Sequence, residues 1–209
     1  GVHTTVVDLL DCDETIDSIS AAGGNARQMN CDVSDEQSVL AVFDQCFNYG
    51  QPLDFLVHCA GIIHERPLLE TPVEEFDRVI SINLRGTFLV GREALRCMNK
   101  SGSGRVILTS SDMGYYGRET FSPYVASKHG VMGLVKSWAL EFGPSINVNA
   151  LCPGPIDTAM LGAENMTAEW REKELNIPLK RFGKPEEIAH MVTFLCGDGG
   201  AYITGQGIG

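Results

Sequence analysis

Tyr124 and Lys128 lie four residues apart, directly after Ser122-Pro123. Serine followed by proline marks a helix start: a capping hydroxyl, then a residue whose fixed φ suits the first helical position and whose missing N–H costs nothing there. Tyrosine and lysine at that spacing share one helix face. A neighbouring cation favours the charged form of a phenol that otherwise titrates near pKa ~10, so the pair has the chemistry of a tyrosine tuned to lose its proton. Alone it is a weak signal. Tyr-x-x-x-Lys arises by chance in many helices, and a packed tyrosine beside a solvated lysine explains it equally well.

What gives the pair weight is the set of elements around it. Val106-Ile107-Leu108-Thr109 reads as a buried strand that delivers Ser110 and Ser111 at its carboxyl end, with Ser111 thirteen residues ahead of Tyr124. Other strand readings are Thr4–Val7 closed by Asp8, Arg27–Met29, Leu53–Val57 running into His58-Cys59-Ala60-Gly61, Ile146–Leu151 running into Pro153-Gly154, and Ala201–Thr204. Helical patterns alternate with them. They cover Thr15–Ala22; Glu36–Tyr49, opened by a Ser34/Gln37 capping box; one helix from Pro72 to about Met98; the Tyr124 helix to about Phe142; and Pro185–Cys196. The 157–182 segment is mixed and carries Met160, Met166 and Trp170.

Strands alternating with helices predict an α/β fold: a doubly wound, Rossmann-type parallel sheet with helices on both faces, in one domain spanning 1–209. Ligands bind such sheets outside the carboxyl ends of the strands, where Asp8, Asp32, Ala60-Gly61, Ser111 and Pro153-Gly154 fall. Sixteen basic against 27 acidic residues, a formal charge of −11, argue against nucleic acid or an anionic membrane as partner. No apolar stretch approaches the ~20 residues of a membrane span. Seven scattered cysteines, without C-x-x-C, point to thiols in a reducing cytoplasm and to no metal site.

With the serine, the tyrosine and the lysine come Asn83 in I-N-L-R-G, Ala60-Gly61 in H-C-A-G, and Pro153-Gly154-x-x-x-Thr158. Five such signals in this order resemble the short-chain dehydrogenase/reductase family over nearly the whole chain. The resemblance implies hydride transfer between a nicotinamide and a small alcohol or ketone. Tyr124 would be general base, its pKa lowered by Lys128 and the nicotinamide, with Ser111 bonding the reacting oxygen. Lys128 would also bind the nicotinamide ribose, and Asn83 would hold a water leading from Lys128 to solvent. Asp8, by accepting from the adenosine ribose and repelling a 2′-phosphate, implies NAD as cofactor. Asp32 and Val33 resemble the adenine contacts, Ala60 and Gly61 the dinucleotide-facing backbone, and Ile156 with Thr158 the carboxamide-binding turn. The pocket rim would include His64, Asp112, Met113, Tyr115, Tyr116, Arg118, Met160 and Trp170, with 157–182 as substrate loop. Relatives usually pair their long helices, here near 73–98 and 124–142, so a homotetramer or homodimer is implied.

The match fails in two places. The family's phosphate loop, T-G-x-x-x-G-x-G, should precede Asp8 by about 20 residues and does not. The expectation is a sheet without its first strand and helix: two half-sheets with unpaired inner edges, and, for these residues alone, neither tight NAD binding nor turnover. His58-Cys59 also replaces the family's frequent asparagine pair. Alternative functions are a 3-oxoacyl-type carbonyl reductase, disfavoured by Asp8 and the lack of a basic patch, and a silent dinucleotide-binding scaffold, disfavoured by Ser111, Tyr124 and Lys128. A nucleotide-sugar epimerase would need a larger carboxyl-terminal region.

Overall fold

β-Branched and aliphatic runs become strands where the patterning places most of them. In the computed structural model, which describes residues 2–48 and 52–209, the strands are β1 (His3–Asp8), β2 (Asn25–Asn30), β3 (Phe55–His58), β4 (Gly104–Thr109), β5 (Ile146–Leu151) and β6 (Gly207–Ile208). The helices between them are α1 (Asp13–Ala21), α2 (Glu36–Asn48), α3 (Val73–Val79), α4 (Thr87–Ser101), α5 (Ser122–Phe142), α6 (Ala168–Glu174) and α7 (Pro185–Cys196). Tyr49, the expected end of the helix from Glu36, lies outside the described residues.

All pairings between these strands are parallel, and they form two sheets, β1-β2 and β3-β4-β5-β6. This matches the expectation of two half-sheets. Among the described residues β1 pairs only with β2 and β3 only with β4, and Val7, Phe55 and Val57 remain partly exposed on those strands. In the larger sheet alternate residues serve opposite faces. Val106, Leu108, Val148 and Ala150 pack with Leu95, Met98, Val131, Val135 and Trp138 of α4 and α5. Ile107 and Leu151 pack with Leu195 of α7 on the other side. Each such fully buried aliphatic side chain contributes roughly 1.5–3 kcal/mol. The smaller sheet is joined through α2, whose Val39 and Val42 cluster with Cys31 and Leu89 of α4. Arg92 adds an ion pair to Glu36 at 2.7 Å. Among the described residues no helix is long and apolar enough to cross a membrane.

Several local expectations change. The α2 start is capped by Asp35, whose carboxylate accepts from Gln37 N and Ser38 N, rather than by Ser34. Ser34 instead donates its hydroxyl to Asp32 Oδ1 at 2.7 Å. Ser122 is already helical, its cap position is Phe121, and no side chain caps α5. The path from Val73 to Ser101 is helical throughout, but Ile80–Gly86 is wound as a π-helix between α3 and α4. Ala201–Thr204 is not a strand. Side-chain amides of Asn147 and Asn149 take the Ala201 and Ile203 carbonyls, and Gly205, at φ +71, donates its N–H to the Val148 carbonyl and turns the chain into β6, which pairs Gly207 with Ala150 and Ile208 with Leu151. That φ lies in the left-handed region open to glycine.

Candidate active site

Ser110 and Ser111 leave β4 at its carboxyl end, and a tight turn brings them under α5. A side chain at Gly114 would put its Cβ 2.4 Å from Ser110 Oγ and 3.2 Å from the Lys128 carbonyl, so only glycine permits this approach. Ser110 Oγ donates to the Lys128 carbonyl at 2.9 Å, pinning the strand end to the helix turn that carries the lysine. Asp112 N donates to the Pro153 carbonyl at 3.0 Å, which fixes the same turn to the end of β5. The consequence is that Ser111, Tyr124 and Lys128 meet as buried groups, with exposures of 6%, 9% and 4%.

Lys128 spends one of its three donors on the Thr109 carbonyl at 2.8 Å, and its Nζ sits 5.5 Å from the Tyr124 ring centroid. Burial pushes its pKa down to about 8. The Tyr124 phenol moves upward, chiefly because burial disfavours the phenolate; a Ser111 hydrogen bond opposes the rise and the Asp112 charge adds to it. The expected lowering by Lys128 is therefore not found in the chain by itself. Desolvation outweighs an ammonium that is engaged with a backbone carbonyl.

Asn83 lies in the π-wound turn and is fully buried. Its Oδ1 accepts from Ile62 N at 2.8 Å, and its Nδ2 donates to the Ile62 carbonyl at 2.8 Å and to Ser127 Oγ at 3.1 Å. Thr87 Oγ1 donates to the Asn83 carbonyl at 2.6 Å. These bonds occupy the side chain as a brace for the loop after β3 and leave it only one Oδ1 lone pair. Ser127, which the sequence reading missed, completes the brace by donating to the Tyr124 carbonyl at 2.7 Å. Its signal was its place inside Tyr124-Val-Ala-Ser-Lys128, one residue from the lysine.

The expected rim divides. Met113, Phe121 and Tyr124 form an apolar cluster with Trp170 of α6 against it. Arg118 pairs with Glu174 through both guanidinium amines and stacks over Phe121 and Trp170, at 5.0 and 5.3 Å from their centroids. Tyr116 donates its hydroxyl to Asp112 Oδ2. Tyr115 turns away: its hydroxyl lies against Gly207 of β6, and burial with a Cys152 hydrogen bond lifts its pKa to about 12. His64 sits 3.5 Å from Glu75 of α3, and Met160 is half exposed.

For a nicotinamide dinucleotide the residues fit at both ends. The buried ammonium of Lys128, with donors beyond the one given to Thr109, suits ribose hydroxyls, and half-buried Pro153 with exposed Gly154 lies beside Asp112. Exposed Asp8 closes β1, its Oδ1 accepting from Leu10 N at 2.9 Å. Asp32 Oδ1 is turned into its own loop by Ser34, and Val33 packs where a Gly86 Cβ would stand, 2.9 Å from its Cγ2. Ala60 is exposed and Gly61 half-buried beside Asn83 and Lys128. Ile156 bridges to Gly183, and Thr158 Oγ1 donates to the Ile156 carbonyl at 3.3 Å. No glycine-rich cradle lies between the two ends among the described residues.

A family model described as Enoyl-(Acyl carrier protein) reductase matches residues 1–209. The 3-oxoacyl-[acyl-carrier-protein] reductase FabG of Thermotoga maritima is 40% identical over 179 residues, 85% of this chain and 72% of its own length. Among solved structures, a candidate short-chain alcohol dehydrogenase from Sinorhizobium meliloti superposes with TM-score 0.94 at 33% identity, covering 100% of this chain and 84% of that one. A variant of the actinorhodin polyketide ketoreductase, solved with NADPH, superposes with TM-score 0.91 at 31% identity, covering 98% and 84%. With the serine, tyrosine and lysine assembled as described, the chain belongs to the short-chain dehydrogenase/reductase family, oxidoreductases whose fold binds a nicotinamide dinucleotide.

Proposed function

We propose that this protein is an NAD-dependent oxidoreductase that interconverts a small secondary alcohol and its ketone, with Tyr124 as general acid/base. The observation that carries the reading is the burial of Ser111, Tyr124 and Lys128 around one point at the end of β4. In the oxidative direction the substrate hydroxyl gives its proton to Tyr124 while Ser111, turning its one O–H away from Asp112 Oδ1, steadies the oxygen as it becomes a carbonyl. The bound nicotinamide supplies the hydride acceptor, or the donor in reverse. Lys128 holds the ribose, and its ammonium together with the bound nicotinamide works against the burial that raises the phenol. Asn83 braces the Ile62 loop beside them, and its remaining Oδ1 lone pair is the only one its side chain can offer to the expected water.

Asp8 supports NAD, because an exposed carboxylate at the end of β1 repels a 2′-phosphate. Asp32, Val33, Ala60, Gly61, Pro153, Gly154, Ile156 and Thr158 are assigned to the cofactor, and Met113, Tyr116, Arg118, Met160 and Trp170 to the substrate pocket, closed by the 157–182 segment. Exposed Phe88 on α4 and Leu140 on α5 support pairing of copies through those helices. Seven unpaired thiols support a reducing, cytoplasmic setting.

A second reading, reduction of a 3-oxoacyl thioester, is favoured by the likeness to the Thermotoga FabG. The charge of −11 opposes docking of an acidic carrier. The test is a panel of secondary alcohols and one 3-oxoacyl thioester, with NAD(H) and NADP(H), on the full-length protein and its Tyr124→Phe variant. Alcohol turnover with NAD that is lost in the variant is the expected result; unchanged turnover in the variant overturns the mechanism.

A further inference from the structure

Resting on the oxidoreductase reading above, we propose that Asp112 decides which alcohols this site accepts. Its carboxylate, fixed beside Ser111, favours a substrate that brings a hydroxyl or ammonium donor next to the reacting carbon and rejects one that brings a carboxylate there.

The carboxylate is held on three sides. Ser111 Oγ donates to Oδ1 at 2.7 Å, Met113 N donates to Oδ1 at 2.7 Å, and the Tyr116 hydroxyl donates to Oδ2. An ionised carboxylate offers about four acceptor positions, so one remains, on Oδ2, and a second opens on Oδ1 when Ser111 turns its one O–H to the substrate. That oxygen stands 3.8 Å from the place a Cβ on Gly154 would occupy, which sets the group between Ser111 and the Pro153-Gly154 turn. A substrate whose reacting oxygen is held by Ser111 therefore brings its neighbouring substituent toward this charge.

Among the described residues Arg118 is the cation that reaches Asp112, and it offsets only part of the charge for an incoming anion. Arg118, the cation on the same loop, is committed to Glu174 and clamped between Phe121 and Trp170. Lys173 on α6 is paired with Glu119 at 3.1 Å. Lys128 is held under the phenol by the Thr109 carbonyl. Like charges brought together in a partly desolvated site repel strongly, whereas a donor gains a charge-assisted hydrogen bond.

Three probes on one ring separate the effects: trans-cyclohexane-1,2-diol, cyclohexanol and trans-2-hydroxycyclohexanecarboxylate, each oxidised by the full-length protein. The expected order of kcat/KM is diol, then cyclohexanol, then carboxylate. Asp112→Asn, which keeps shape and removes charge, should shrink the diol-to-carboxylate ratio by at least about tenfold, through KM for the carboxylate. Tyr116→Phe, which frees Oδ2, should widen the same ratio, and it carries the test if the first variant does not fold. A ratio unmoved in these variants, or a carboxylate turned over as well as the diol by the unmodified protein, overturns the role of Asp112 and leaves the oxidoreductase reading standing. No turnover of any probe with NAD or NADP overturns both.

Discussion

Ser111 Oγ donates to Asp112 Oδ1 at 2.7 Å, so the hydroxyl beside Tyr124 has a negative charge on its far side. That charge is one of the influences raising the phenol's pKa, after burial and against the Ser111 hydrogen bond. Removing it with Asp112→Asn takes away a raising influence, so the phenolate forms at lower pH. The rising limb of kcat/KM against pH for alcohol oxidation should move to lower pH in this variant. A limb that stays put or moves up would contradict the arrangement.

Lys128 carries a stability cost. Its folded pKa is about 8 against 10.5 for the unperturbed group. Between those values the unfolded chain holds a proton that the folded chain has released, so stability rises with pH across the window and the cost is full below pH 8. Lys128→Met should abolish most activity, by about 100-fold or more. It should raise the unfolding free energy at pH 7 by about 2 kcal/mol after loss of the Thr109 hydrogen bond. Urea unfolding of both proteins should show the gap closing and then reversing as pH rises from 8 to 10.5.

His58 is buried with Nε2 lacking a partner among the described residues, and burial, then Lys128, hold its pKa at about 4 rather than 6.5. As pH falls from 6.5 toward 4 the unfolded chain takes up a proton that the folded chain refuses. Stability should drop by roughly 3 kcal/mol over that range and then level off. In His58→Asn this part of the pH dependence should vanish; an identical slope in both proteins would remove His58 as its source.

Much of the architecture was legible because it is periodic. Strand runs such as Val106–Thr109 alternate between two buried faces, and helices such as Ser122–Phe142 begin and end on local signals. The misreadings occurred where a side chain replaced a backbone partner. Asp35 capped α2 ahead of Ser34, and Asn147 and Asn149 took carbonyls that would have made Ala201–Thr204 a strand. The two asparagines depend on neighbours far away in the chain, which local pattern does not encode, whereas the Asp35 cap is local and prevails because Ser34 turns its hydroxyl to Asp32.

From its residues alone the chain determined its α/β alternation, the pairing of Tyr124 with Lys128 on one helix face, and the delivery of Ser111 at a strand end, since these follow from helix and strand repeats. Tertiary structure alone decided the protonation balance and the charge of the pocket. Burial, not the lysine, governs the Tyr124 phenol. The commitment of Arg118 to Glu174 leaves Asp112 as the charge beside the serine. Both are effects of desolvation and of contacts between segments distant in sequence, where packing sets which charges remain exposed to a substrate.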